Sequence, residues 1–277
     1  MIFSIEYIFF LIIIGILVGI TSGLLGVGGG FLMVPLQFFL LSSIGVNPDL
    51  ALRISLGTSL AIIIPTALTG AYTHYHELKQ ILKPGIFMGI FGLIGGVFGG
   101  VTSVYIPTNI LEAILGIFLI LVAIYMIFNK NSESQKSNVK LNLWFGSLVG
   151  LIIGFLSGLL GLGGGIFLIP VLVLLLGFSL IEAIGVSSIF ISLSSIGGTI
   201  SYIIMGLAIN PFPYSIGYVN LVNFGIIAIF SIPLAFISAK LTYKVPERKL
   251  KLIFSILTIY LGIKILGIDP LSYLLNF

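Results

Sequence analysis

The sequence contains no cysteine. That excludes disulfides, thiolate metal sites and cysteine nucleophiles, and it leaves the compartment open. Charge is almost as scarce. Only 7% of residues are charged, against about 25% in an ordinary soluble domain, so there is too little polar surface to cover a water-soluble globule. Histidine occurs only at His74 and His76, a pair in a polar loop and not a membrane metal site. The sequence has no HExxH, GxSxG or GK[ST] motif, and no helix face that gathers histidines and carboxylates. The chain is therefore expected not to be an enzyme and to need no cofactor or metal. The net charge of +4 comes from few residues placed in loops. It bears on membrane orientation and suggests no nucleic-acid partner. A basic leader and a small-residue cleavage site are also missing. Glu6 stands there instead, and the first helix is expected to be retained.

What the sequence has is hydrocarbon and glycine. Apolar residues make up 58% of the chain and the mean hydropathy is +1.29. Apolar runs recur along the length, many long enough to span a hydrocarbon core of about 30 Å. Runs such as 8–20, IFFLIIIGILVGI, are apolar on every face, which excludes the alternating strands of an outer-membrane barrel. The reading is an all-α polytopic membrane protein, with the lipid bilayer as its first partner and the cell membrane, of prokaryotic plasma-membrane type, as its place.

The chain is also built twice. Residues 19–35, GITSGLLGVGGGFLMVP, return 135 residues later as 154–170, GFLSGLLGLGGGIFLIP. Further on, Gly57, Ser59 and Gly70 pair with Gly185, Ser187 and Gly198. Helical segments are expected at 5–21, 31–44, 52–72, 84–104 and 110–128, then at 143–157, 166–176, 180–205, 216–241 and 252–268. The polar stretch 129–142 reads as a cytoplasmic linker between a first repeat, 1–128, and a second, 143–277. Basic loops lie at 74–83, 129–142 and 240–251. They share the cytoplasmic side only if each glycine break folds the chain into a hairpin of a helix and a short helix. Each repeat then holds an odd number of segments, so the repeats are inverted and both termini lie outside.

Non-helical backbone inside a bilayer is tolerated where it is buried in protein or lines a polar cavity. Glycine supplies the dihedral angles of such a break and bares the amides. The short helices start directly after Gly30 and Gly165, and a helix start presents unpaired N–H groups and partial positive charge. That suits an anion. Close helix packing is the other established use of such glycines, and the spacing alone leaves both open. The candidate substrate-binding residues are Ser22, Gly26, Gly28, Gly29, Gly30, Thr58 and Ser59, with Ser157, Gly161, Gly163, Gly164, Gly165, Ser187 and Ser188.

Other ionisable residues read as supports. Arg53, Lys240, Lys244 and Lys264 are expected at membrane interfaces, Lys264 near Asp269. Glu112 and Glu182 fall in first helical turns, where a carboxylate caps. His74 and His76 are expected to be solvated.

The paired motifs GLLGVGGGFLMVP and GLLGLGGGIFLIP resemble the TauE/SafE family of membrane proteins, as does the Gly57-Thr58-Ser59 element with Ser187 and Ser188 in the second copy. The resemblance covers nearly the whole chain. It implies a secondary transporter, in its main sense an exporter, of small sulfur-containing anions such as sulfite or organosulfonates. The residues by themselves also fit a passive small-anion channel or a permease for carboxylates or other organic anions. A homo-oligomer and a coupling proton or other ion are compatible with the sequence.

Overall fold

The structure, a computed structural model, describes residues 4–77, 79–128, 143–208, 212–241 and 247–268. The linker at 129–142, Asn210, Pro211, Lys244 and Asp269 fall outside the described residues, and with them the expected pairing of Lys264.

The described residues are helical almost throughout. The first set is α1 (Ile5–Leu25), α2 (Gly30–Ser43), α3 (Pro48–Glu77), a 3-10 turn (Lys79–Ile81), α4 (Leu82–Tyr105) and α5 (Thr108–Phe128). The second set is α6 (Leu143–Leu160), α7 (Gly165–Leu174) and α8 (Leu180–Gly206). The hairpin β1 (Ser215–Ile216) and β2 (Val219–Asn220) follows, then α9 (Leu221–Leu241) and α10 (Glu247–Ile265). Long apolar stretches at Ile5–Leu25, Pro48–His76, Lys79–Tyr105, Ile181–Gly206 and Leu221–Leu241 can each cross a bilayer. This is an all-α polytopic membrane protein.

Two compact units are present. α5 and α10 form one, and the remaining helices form the other. In the smaller unit the helices approach through glycine. A methyl group on Gly262 would lie 3.0 Å from the Gly116 carbonyl oxygen. Lys264 stands 5.8 Å from the Tyr260 ring centre.

In the larger unit, glycines again set the interfaces, because small residues let membrane helices approach backbone to backbone. Gly15, Gly19 and Gly23 of α1 meet Ile227, Ser231 and Ala235 of α9. Gly150, Gly154 and Gly158 of α6 meet Met88, Gly92 and Gly96 of α4 in the same register. Both pairs run parallel. The outer face of α4 carries the exposed stripe Ile86, Ile90, Ile94 and Phe98, as a lipid-facing surface requires.

Several expectations change in three dimensions. Residues 216–220 belong to the β-hairpin and not to the ninth helix, because Gly217 sits at φ +58° and turns the chain. α3 starts earlier and ends later than its hydrophobic run. Asn47 Oδ1 accepts from the Asp49 N–H at 2.9 Å, and Pro48 fits a first helical position. The helix then runs through the histidines, so His74 is not in a solvated loop. It is 1% exposed and packs beside Gly185. His76 is exposed, as expected.

Candidate functional site

Each break is built the same way. α1 ends at Leu25 with Gly26 in the left-handed region, φ +63°, and its N–H donates to the Ser22 carbonyl. Gly28 and Gly29 follow at φ +78° and +71°; in the second copy Gly161, Gly163 and Gly164 take +67°, +80° and +82°. These are conformations that residues with a Cβ rarely adopt. The result is a reversal. A methyl group on Gly29 would lie 3.0 Å from the Val18 carbonyl oxygen, and one on Gly164 would lie 3.3 Å from that of Ile153. The chain therefore lies against a residue eleven positions earlier. Helix directions agree. Gly85, Gly89 and Gly96 of α4 meet Ile189, Leu193 and Ser194 of α8 in parallel. α6 and α8 thus both run with α4, and the break and α7 between them must reverse the chain. The glycine breaks are hairpins.

The two breaks also touch, and their contacts exchange. A methyl on Gly30 would lie 2.8 Å from Leu162 Cα, and one on Gly165 would lie 2.8 Å from Val27 Cα. Gly26 faces Ile184 where Gly161 faces Leu56, and Gly28 and Gly163 each face Ile63 and Ile191. Ser59 Oγ donates to the Gly161 carbonyl at 2.6 Å, and Ser187 Oγ donates to the Gly26 carbonyl at 3.1 Å. These contacts of one repeat on the other are returned, as in a self-complementary two-fold interface. The counterpart helices α3 and α8 run antiparallel, with Gly57 on Tyr202 and Gly70 on Ser188.

The helix starts differ from others in the molecule. Ser4 caps α1, and Ser179 with Glu182 forms a full capping box on α8. α2 and α7 begin from Gly29 and Gly164 with no side-chain cap. Their first backbone bonds run from Leu32 and Met33 to the Gly29 carbonyl, and from Phe167 and Leu168 to the Gly164 carbonyl. The amides of Gly30, Phe31, Gly165 and Ile166 stand ahead of these bonds, all in buried positions. Two uncapped, buried helix starts therefore adjoin one another, with their partial positive charges on the same spot.

The predicted hydroxyls divide. Ser59 and Ser187 hold the breaks together, and Thr58 Oγ1 accepts from the Asn220 N–H at 2.9 Å. Ser157 Oγ lies 3.4 Å from Ser194 Oγ, which donates to the Gly163 carbonyl at 3.2 Å. Ser188 bonds back to the Ile184 carbonyl of its own helix, and Ser22 is buried beside the first break. In this conformation the protons of Ser59, Ser187 and Ser188 go to carbonyls. The structure thus places the glycines, Ser22, Ser59, Ser157 and Ser187 at the breaks, while Thr58 and Ser188 bond elsewhere, to Asn220 and Ile184.

Arg53 is buried in the protein. It is 9% exposed and donates to the Ser103 carbonyl and to Asp49 Oδ1, both at 3.1 Å. Ser103 Oγ and Tyr202 OH are hydrogen-bonded at 2.5 Å, and the Tyr218 ring meets Tyr202 edge-on. Burial raises the pKa of Tyr218, with Arg53 opposing and Asp49 adding to the shift. Glu182 caps as expected, and also accepts from Gln80 Nε2 at 2.5 Å. Lys240 is exposed and stacks on Phe236, 4.1 Å from the ring centre, as an anchor does. The sequence reading missed the buried polar residues Tyr7, Gln37, Tyr202, Asn220 and Asn223. Single amides inside apolar runs, such as Gln37 in FLMVPLQFFLL, were the available signal.

Comparison with known proteins follows the same lines. Residues 11–265 match the family model described as sulfite exporter TauE/SafE. A probable membrane transporter protein of Methanocaldococcus jannaschii is 35% identical over 241 residues, 86% of each chain. One of Haemophilus influenzae is 32% identical over 263 residues, 93% of this chain and 97% of its own. One of Bacillus subtilis is 25% identical over 213 residues, 71% of this chain and 78% of its own. No solved structure matches the chain.

Proposed function

The chain belongs to the TauE/SafE family of membrane transporters, and from that premise we propose that it is a secondary carrier, in the main an exporter, of small sulfur-containing anions. Sulfite and organosulfonates are the intended class, and the prokaryotic plasma membrane is the intended site of action. One observation carries the anion reading: two helix starts, uncapped and buried, abut across the exchanged breaks. An oxyanion that entered between them would meet several backbone N–H groups and two favourable dipoles. Gly26 to Gly30 and Gly161 to Gly165 form this cradle, with Ser22, Ser59, Ser157 and Ser187 around it and Thr58 and Ser188 behind.

The repeats 1–128 and 143–277, joined by the cytoplasmic linker 129–142, work as an inverted pair with both termini outside. Returned contacts and the antiparallel α3 and α8 support that arrangement. In the present conformation the breaks are in van der Waals contact. Transport then requires them to part, and rocking of one repeat against the other does this. A coupling proton or other ion, and assembly into a homo-oligomer, are further elements of the proposal.

The test is flux in proteoliposomes with sulfite, sulfate, thiosulfate, sulfoacetate and simple carboxylates, with and without a pH gradient. A carrier gives saturable flux and counterflow for the sulfur anions. Ohmic single-channel currents would replace it with a channel, and flux of carboxylates alone would replace the substrate class. Gly29→Val and Gly164→Val should abolish flux while the protein remains folded in membranes. Wild-type flux in both would refute the cradle.

A further inference from the structure

One half of the larger unit buries a polar chain of five residues, and at four of the five places the other half carries hydrocarbon. Tyr7 OH on α1 donates to Asn223 Oδ1 on α9 at 2.7 Å. Asn223 Nδ2 donates to Gln37 Oε1 on α2 at 3.3 Å. The Asn223 N–H donates to Asn220 Oδ1 at 2.9 Å, and the Asn220 N–H donates to Thr58 Oγ1 at 2.9 Å. The donors branch at Asn223: one arm runs through Asn220 to Thr58, and the other runs from Tyr7 through Asn223 to Gln37 and ends at Gln37 Nε2. That atom is buried and has no acceptor among the described residues, and Gln37 as a whole is 0% exposed.

The exchanged contacts identify the counterparts. Gln37 corresponds to Leu172, Thr58 to Val186, Asn220 to Ile81 and Asn223 to Pro84. Leu172, Val186 and Ile81 are fully buried. The fold therefore does not need amides at these places, since its own second copy packs hydrocarbon there. A buried amide donor without an acceptor is costly, and one at the end of a hydrogen-bonded series is a stronger donor than an isolated one. Gln37 lies seven residues beyond Gly30, two turns or about 10 Å along α2. It thus sits away from the cradle, toward the end of the unit where α1 begins.

We infer that Gln37 Nε2 is a second anion subsite, taking one oxygen of a small oxyanion on the α1-entry side of the glycine cradle, with Tyr7 and Asn223 holding the carboxamide in place. This rests on the anion-carrier reading above. An acceptor-only ligand is what the donor series lacks. The second copy lacks the subsite, so the anion has a waiting place on one side of the cradle only. Two-fold packing is kept while the two ends of the path become unequal.

The experiment uses the full chain in detergent, with sulfite and, separately, sulfate as probes. Thermal unfolding is followed against anion concentration, because a ligand that binds the folded form raises the midpoint. Gln37→Leu takes the counterpart residue, and Gln37→Met keeps the length without the donor. Both should keep the anion-free midpoint near wild type and bind the probe about tenfold more weakly, the effect of one lost hydrogen bond to a charged ligand. Tyr7→Phe, which removes the head of the series, should weaken binding less. Wild-type affinity in both Gln37 variants overturns the subsite and leaves a buried water as its occupant. No anion-dependent shift in the wild type itself would instead overturn the carrier reading on which the subsite depends. If Gln37→Leu fails to fold, Gln37→Met decides alone.

Discussion

The same change, glycine to alanine, should have opposite signs at different positions in this molecule. Gly225 in α9 has a helical backbone, and nothing lies within 4 Å of a methyl group placed there. Alanine should stabilise that helix by about 0.5–1 kcal/mol through propensity alone. Gly30 is also helical and would collect part of the same gain at its helix start. Its methyl, however, would lie 2.8 Å from both Leu162 Cα and the Leu162 carbonyl oxygen. These are backbone atoms that cannot rotate away. Overpacking of this kind costs about 1–3 kcal/mol, so Gly30→Ala should come out net destabilising by roughly 1–2 kcal/mol. Gly165→Ala meets Val27 Cα at the same distance and should behave alike. The double variant should cost less than the sum, because both methyls open one contact. Gly177 provides the third arm. It has φ +72° and nothing within 4 Å, so alanine should cost about 1–2 kcal/mol from the backbone alone. Thermal unfolding of the purified variants in one detergent reads all five, at roughly 2–4 °C per kcal/mol for a chain of this size. If Gly30→Ala stabilised as much as Gly225→Ala, the breaks would not be in contact, and the account of the site would fail.

Three further outcomes follow from single contacts. Ser59→Ala and Ser187→Ala each remove a hydroxyl that closes the other repeat's break, and each should lower stability by about 1 kcal/mol; clearly unequal losses in the unfolding midpoint would contradict the exchanged geometry. Ser179→Ala removes the capping box of α8 and should cost about 0.5–2 kcal/mol, while Ser188→Ala, which loses only a bond to its own helix, should stay near neutral in the same assay. Arg53→Met keeps the aliphatic volume but loses the bonds to the Ser103 carbonyl and Asp49. It should lose about 1.5–3 kcal/mol; a midpoint that survives unchanged would show that Arg53 is not engaged with α4.

The sequence by itself determined the class, the doubling and the place of the breaks. Apolar composition and run length act locally, so a bilayer protein is legible without contacts. The copy of SGLLGxGGG at Ser22–Gly30 and Ser157–Gly165 is a one-dimensional fact, and glycine is the residue that takes such left-handed turns without strain. Charge counting even anticipated that the breaks reverse the chain. Tertiary structure decided which surfaces meet. Helices apolar on all sides have no periodicity to mark the buried face, so the sequence could not say that α1 joins α9 and α6 joins α4. It could not say that Ser59 and Ser187 serve the opposite break, because that exchange links residues more than a hundred positions apart. The burial of Arg53 and His74 was hidden for a related reason. A lone polar residue at the end of an apolar run looks like an anchor or a loop until the neighbours that bury it are known. Gln37, Asn223 and Tyr7 lie on separate helices, and only the packed bundle makes one polar chain of them.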